Sequence, residues 1–292
     1  MRNLRDLVAA ALDEDLAPLG DLTASLLPAN RWVDAAIVPR ADGVLAGMGP
    51  AHEAFRQVSE LIAVDWSVLD GERVAAGQSV AVVSGPLGPV LTAERTALNF
   101  LCHLSGIATL TGRYVDAVAG TGARIRDTRK TTPGLRSLEK AAVRAGGGVN
   151  HRGNLSDGIL VKDNHLAGLS IGEAVAAGRR MWPGRTVQVE CDDFDQLAQA
   201  LAAAADFVLL DNMSPVQVGE AVELVGKRCL VEVSGGVTLD TVAEYAAAGA
   251  DLISVGAITH SAPVLDIGLD LVEGRDIGLD LVEDRDIGLD LV

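Results

Sequence analysis

A chain of 292 residues, 49% of them hydrophobic, can fill one large core or two medium ones, which excludes a wholly disordered protein. Its 40 Asp and Glu against 24 Lys and Arg give a formal charge of −16, which argues against a nucleic-acid or anionic-membrane surface, since both need exposed basic stripes. No apolar run approaches a membrane span, and acidic residues interrupt the opening MRNLRDLVAAALDEDL where a secretory segment would continue, so a cytoplasmic protein is expected.

Apolar spacing predicts an amphipathic helix around Asn3–Leu12, followed by strand-like runs at Val33–Val38 and Val80–Val83 between Gly-containing turns. An Ala/Leu-rich helical pattern over about Thr92–Val118 closes this part. Residues 1–118 therefore read as an α+β domain. From Ala123 onward, β-branched runs at 123–127, 158–162, 186–190, 206–211, 229–233 and 251–256 alternate with helical patterns. The helices are expected over Ser170–Met181, Phe194–Ala204, Pro215–Gly226 and Leu239–Ala248. Such a βα series predicts a parallel sheet with helices packed outside.

A doubly wound sheet and a barrel both satisfy that series, and the polar residues separate them. Asp127, Lys162, Glu190 and Asp211 end their strands, while Ser234 and Gly256 follow the last two. A doubly wound sheet would gather only the strands beside its switch point, whereas a barrel brings every strand end to one mouth. The expectation is an α/β fold: an incomplete, six-stranded βα (TIM-like) barrel over 119–265 behind the N-terminal domain. The tail repeats DIGLDLVEGR (266–275) as DIGLDLVEDR (276–285) and DIGLDLV (286–292). Two and a fraction copies are too few for a solenoid. The segment 266–292 is expected to join the N-terminal domain, with the copies after Val272 a neutral duplication, mobile or loosely docked.

One basic locus stands out in this acidic chain, since residues 124–165 hold nine of the 24 cationic side chains. Arg129, Lys130, Arg152 and Lys162, with His151 beside them, combine the planar fork of Arg with the point charge of Lys, which suits a small ligand with several anionic groups. A solvated helix face is the plainer reading of any one of them. The chain has only four lysines, and two of them, Lys130 and Lys162, fall at predicted strand ends. Glu190 and Asp211 end apolar runs, where a carboxylate needs a cation. Mg²⁺ shared with substrate phosphates would serve, as would a salt bridge to Lys130 or Lys162. The glycines of VSGGV (233–237) and SVGAITHS (254–261) follow the last two strands, where backbone N–H groups can hold phosphate. The cluster GGGVN (146–150) reads as a loop delivering His151 and Arg152, or as a helix stop. His52, His103 and His260 read as packing or surface residues. Cys102, Cys191 and Cys229 are widely spaced core thiols, with neither a disulfide framework nor a zinc pattern.

The stretches DTRKTTPGLRSLEKAAVRAGGGVNHR, LVKDNH, TAERTALNFLCHLSGIAT, LLDN, SGG and ISVGAITHS closely resemble the quinolinate phosphoribosyltransferase family over about residues 5–272. The resemblance implies transfer of phosphoribosyl from 5-phosphoribosyl 1-pyrophosphate to quinolinate with loss of CO₂, giving nicotinate mononucleotide and pyrophosphate in NAD biosynthesis, with Mg²⁺ required. It assigns Arg129, His151, Arg152 and Lys162 to the quinolinate carboxylates, and Lys130, Glu190 and Asp211 to the sugar diphosphate and its metal. Ser234, Gly235, Gly236 and Gly256 would cradle phosphate. Lys130, Lys162, Glu190 and Asp211 are the expected catalytic set. Arg95, in TAERTALN, is similar to a family arginine that enters the neighbouring subunit's site, so at least a homodimer is expected. Val233 and Ala24 depart from the family pattern without touching these charges. Competing readings are a related protein of molybdenum metabolism sharing much of the DTRKT region, and a Schiff-base aldolase built on Lys162. A carrier-domain reading of residues 66–85 lacks an attachment lysine, because none precedes Lys130.

Overall fold

The structure is a computed structural model that describes residues 3–272. Helix α1 (Leu4–Leu16) starts where the Asn3 side chain accepts the Asp6 N–H at 2.8 Å, and it buries Val8 and Leu12, one turn apart. Strand β1 (Trp32–Pro39), the short β2 (Gly43–Val44) and helix α2 (Met48–Val58) follow, then β3 (Ala63–Trp66), β4 (Arg73–Val74), β5 (Ala81–Pro86) and the 31-residue α3 (Leu87–Ala117). β1, β3 and β5 form an antiparallel sheet, and β2 pairs with β4. Phe55 of α2, Ile37 of β1 and Leu101 of α3 meet in one buried core.

The second unit alternates strand and helix: β6 (Arg124–Arg126), α4 (Arg136–Ala145), β7 (Ile159–Val161), α5 (Ile171–Met181), β8 (Val187–Cys191), α6 (Phe194–Ala202) and β9 (Phe207–Asp211). It continues with α7 (Pro215–Val225), β10 (Leu230–Ser234), α8 (Val242–Ala247), β11 (Leu252–Ser254) and the single-turn α9 (Ala257–His260). The six strands are parallel in the order β6-β11-β10-β9-β8-β7. Consecutive strands are neighbours except that β6 sits beside β11, so the sheet curls toward a ring left open between β6 and β7. This is the incomplete barrel. Val189, Val208, Val233 and Ile253 are buried in its core.

Helix α3 serves both units. Its first half gives Leu98 and Leu101 to the N-terminal core, and its second half gives Leu104, Ile107 and Ala108 to the barrel core. Gly106 lies between Leu104 and Ile107, where a Cβ would overlap the Pro263 carbonyl, so this glycine lets the returning chain cross the helix. That chain ends in β12 (Ile267–Leu271), which adds to the antiparallel sheet beside β1 with Ala36 opposite Asp270. Residues Ile267–Leu271 of the first tail copy are thus a sheet strand, tied further by Arg40 and Asp270. The copies after Val272 lie outside the described residues. Among the described residues no helix is long and apolar enough to cross a membrane.

Candidate active site

The C-terminal ends of the barrel strands open on a cavity of about 610 Å³. After β6 the chain presents Arg129 and Lys130, held because the Lys130 N–H donates to Thr128 Oγ1 at 3.0 Å and its carbonyl accepts the Thr259 hydroxyl at 2.8 Å. After α4 it presents His151 and Arg152. Arg136, at the start of α4, clamps the two loops by donating to Thr131 Oγ1 at 2.9 Å and to the Gly153 carbonyl at 3.1 Å.

Two buried carboxylates brace these loops from behind. Asp127 is fully buried and accepts from Lys140 Nζ, from Asn150 Nδ2 at 2.6 Å and from the His151 N–H at 2.7 Å. Lys140 also donates to the His151 carbonyl at 2.9 Å. Burial pushes Asp127 up and Lys140 down, each toward its neutral form, and their mutual contact opposes both. Glu139, also fully buried, accepts the Thr132 N–H at 3.1 Å and meets His103 of α3 at 2.8 Å. Asp127 therefore ends its strand as predicted by position, yet it supports the mouth rather than lining it.

Opposite the cations lie the remaining strand ends. Lys162 after β7 forms an ion pair with Glu190 of β8, the salt bridge that the sequence left open as an alternative to metal. Asp211 ends β9 and accepts from Asn212 Nδ2 at 2.7 Å. Beyond Ser234 of β10, Gly235 and Gly236 have φ of +94° and +63°, and a Cβ on Gly235 would overlap the Asn212 side chain, so this turn demands glycine. A Cβ on Gly256 would come to 3.2 Å from both Lys130 and His260.

Eleven of the twelve residues singled out in the sequence line this one cavity. The twelfth, Arg95, is exposed on α3 and lines a separate groove with Asp21 and Thr92. His260, read as a packing or surface residue, is exposed, and the surface it lies on is the mouth itself, beside Lys130 and Gly256. The Ile-Thr that separates it from Gly256 and Ala257 forms one helical turn, and that turn folds it back over the strand end. Burial, helped by Arg129, lowers Arg152 from the ordinary guanidinium range. Burial outweighs the pull of Glu232 and pushes His151 down to about 4. The mouth thus concentrates fixed positive charge at its β6–β7 side, two carboxylates at β8 and β9, and open backbone at β10 and β11. Such a layout can neutralise a dicarboxylate at one end and hold a phosphorylated sugar at the other.

Oxygen donors at neighbouring strands suit Mg²⁺, which keeps several waters and shares its shell with substrate phosphates. Among the described residues no three His, Cys, Asp or Glu side chains converge as a protein-only metal cage. Glu190 and Asp211 fit an ion that arrives with a phosphorylated substrate.

Residues 21–105 match the model of the quinolinate phosphoribosyl transferase N-terminal domain, and residues 107–270 match that of its C-terminal domain. The chain is 46% identical over 277 residues to a nicotinate-nucleotide pyrophosphorylase (carboxylating) of Mycobacterium leprae, covering 91% of this chain and 96% of the relative. It is 40% identical over 255 residues to a probable nicotinate-nucleotide pyrophosphorylase (carboxylating) of Bacillus subtilis, covering 86% and 88%. Among solved structures, the nicotinate-nucleotide pyrophosphorylase of Francisella tularensis superposes with a TM-score of 0.89 at 38% identity, covering 92% of this chain and 96% of that one.

Proposed function

The chain belongs to the quinolinate phosphoribosyltransferase family, and from that premise we propose that the barrel mouth transfers phosphoribosyl from 5-phosphoribosyl 1-pyrophosphate to quinolinate with decarboxylation. The products are nicotinate mononucleotide, pyrophosphate and CO₂, a step of NAD biosynthesis. The observation that carries this reading is the division of one cavity into a cationic end and a carboxylate-and-glycine end.

Arg129, Arg152 and Lys162 receive the two quinolinate carboxylates, at the end of the mouth that His151 lines, and turn the ring nitrogen toward the sugar. Ser234, Gly235, Gly236 and Gly256 offer backbone and hydroxyl groups to phosphate. Lys130, beside Gly256, meets the pyrophosphate as its oxygens gain charge. Mg²⁺, when bound, supplies further neutralisation of that leaving group. Glu190 and Asp211 hold ribose hydroxyls or the ion and temper the positive charge that grows at the sugar C1. The quinolinate nitrogen takes C1 as the C–O bond to pyrophosphate breaks, and the nitrogen becomes cationic. Loss of the adjacent carboxylate as CO₂ leaves its electron pair on the ring carbon beside that positive nitrogen, where a proton then adds. Before any of this, Lys162 has to exchange Glu190 for a substrate carboxylate.

Arg95 stands outside its own mouth, and we assign it to the mouth of a neighbouring subunit in a homodimer or larger ring. We propose that the activity is cytoplasmic, a reading supported by the charge of its substrates, which do not cross membranes unaided.

The test is product formation by pure protein with quinolinate, 5-phosphoribosyl 1-pyrophosphate and Mg²⁺, following CO₂ and nicotinate mononucleotide together. Equal release of both supports the reading. Nicotinate lacks one carboxylate and would leave buried cations unpaired, at a cost of about 2–5 kcal/mol, so it should react tens to roughly thousands of times less efficiently. Comparable turnover of nicotinate would overturn the assignment of the cations.

A further inference from the structure

Beneath the mouth the barrel interior holds a buried charge that the reaction does not use. Glu232 of β10 is fully buried, and its carboxylate collects donors from three other strands. Arg126 Nη1 of β6 donates to Oε2 at 2.7 Å and Gln188 Nε2 of β8 at 2.6 Å, while the Ser254 hydroxyl of β11 donates to Oε1. The same Oε1 faces His151 Nε2 at 3.6 Å. Arg126 in turn donates through Nε to the Asn150 carbonyl at 3.3 Å, so the pair reaches the His151 loop from below. A buried carboxylate persists only when such partners compensate its lost hydration.

The other ring nitrogen decides where the imidazole proton sits. Nδ1 of His151 accepts the Arg152 backbone N–H at 2.7 Å and must keep its lone pair, so the proton is on Nε2, the nitrogen turned toward Glu232. An imidazolium would set two N–H groups against each other at Nδ1. Arg126, Arg152 and Lys140 surround the ring and, with burial, oppose a second proton, while Glu232 alone favours it.

We propose that Glu232 is a positioning residue for the carboxylate-binding end of the mouth: it holds His151 as the neutral Nε2–H tautomer, and His151 thereby anchors the Arg152 backbone and fixes where its guanidinium stands. The substrate named here rests on the quinolinate reading, but the tautomer does not.

Glu232→Gln supplies the test. With the amide oxygen taken by Arg126 and Gln188, its NH₂ group donates to Ser254 Oγ, whose hydroxyl turns to accept it, but meets the His151 Nε2–H donor against donor. The ring is then driven to the other tautomer, which cannot accept from Arg152. The expected result is a KM for quinolinate raised about 10-fold or more, with kcat and the KM for the sugar diphosphate changed less than about 3-fold. In a His151→Ala background the same substitution should add little, because its route is already gone. Wild-type protein with ¹⁵N-labelled histidine, His151 assigned by its loss in His151→Ala, should show the Nε2–H tautomer by long-range ¹H–¹⁵N correlation at neutral pH. An unchanged quinolinate KM in folded Glu232→Gln would overturn the proposal, as would full additivity with His151→Ala. So would an imidazolium or Nδ1–H form in the wild type, a readout that stands even if Glu232→Gln does not fold. Absence of quinolinate turnover by wild-type protein would instead sink the functional reading and leave the tautomer measurable.

Discussion

Arg152 combines a charge with a planar fork: it already spends Nη1 on the Gly158 carbonyl at 2.9 Å, which leaves the rest of the guanidinium to address a ligand carboxylate. Arg152→Lys keeps the charge and loses that geometry, at a cost of about 1.5–3 kcal/mol for a charge-assisted bond. Steady-state kinetics should show the KM for quinolinate rising roughly 10- to 100-fold, and an unchanged KM would remove Arg152 from the site. A second expectation concerns Cys191, fully buried, whose thiol burial pushes up to about 12. Iodoacetamide at pH 8 should leave it unmodified in native protein and label it after denaturation, as read by peptide mass spectrometry. At this scale the sequence was legible where a charge ended an apolar run, because position at a strand end is enough to place Lys162, Glu190 and Asp211 at one mouth. It was silent on Glu232 and Glu139, since nothing in one sequence tells a carboxylate turned inward, to the barrel interior or to α3, from one facing water. His260 escaped because a single histidine after a strand has no partner in the sequence, and only the turn of α9 brings it to Lys130.

The βα alternation of the second unit could be read strand by strand because most of its strands are short apolar runs between helices, and α5, α6 and α7 open on the capping side chains Ser170, Asp193 and Ser214. The boundaries differ by a few residues at most: the run expected at 206–211 is β9, Phe207–Asp211. Helix α4 shows what hides an element. RSLEKAAVRA buries Glu139 and Lys140 along with Ala142 and Val143, so its inner face carries charge and the apolar stripe is broken. Helix α2 was obscured differently, by Gly47, Gly49 and Pro50 at its start. Caps make a prediction that separates stability from activity. Ser214 accepts the Gln217 N–H at 3.4 Å, and Gln217 reaches back to the Ser214 N–H at 2.9 Å, a reciprocal box at the head of α7. Ser214→Ala should lower unfolding free energy in urea by about 1 kcal/mol while both substrate KM values stay the same. A shift in either KM would mean that α7 helps to set the Asp211 loop.

For the molecule as a whole, the two units and the open barrel were legible, whereas the tie between them was not. The break in pattern near residue 118 marks where α3 ends but hides that this helix belongs to both cores. Arg95 is the other residue that one subunit leaves unexplained: it is exposed and lines a groove away from its own mouth. If it completes a neighbour's site, Arg95→Ala and Asp211→Ala should each be inactive alone. Reassembled as an equal mixture, they should regain about one quarter of wild-type activity, because half of the dimers are mixed and each mixed dimer has one intact site. No recovery after verified subunit exchange would confine Arg95 to its own chain.

Helix α3 also bears on how the protein fails. Leu101 and Leu104 sit one turn apart on the same rod yet anchor different interiors, so loosening either interior drags on the backbone that seeds the other. There is no seam to tear along. Heat should melt the chain in one calorimetric step with matching van't Hoff and calorimetric enthalpies, and limited proteolysis should pass from intact chain to small peptides without a surviving barrel fragment. An enzyme built this way degrades all at once, so a damaged chain should vanish from the pool and not linger half-folded.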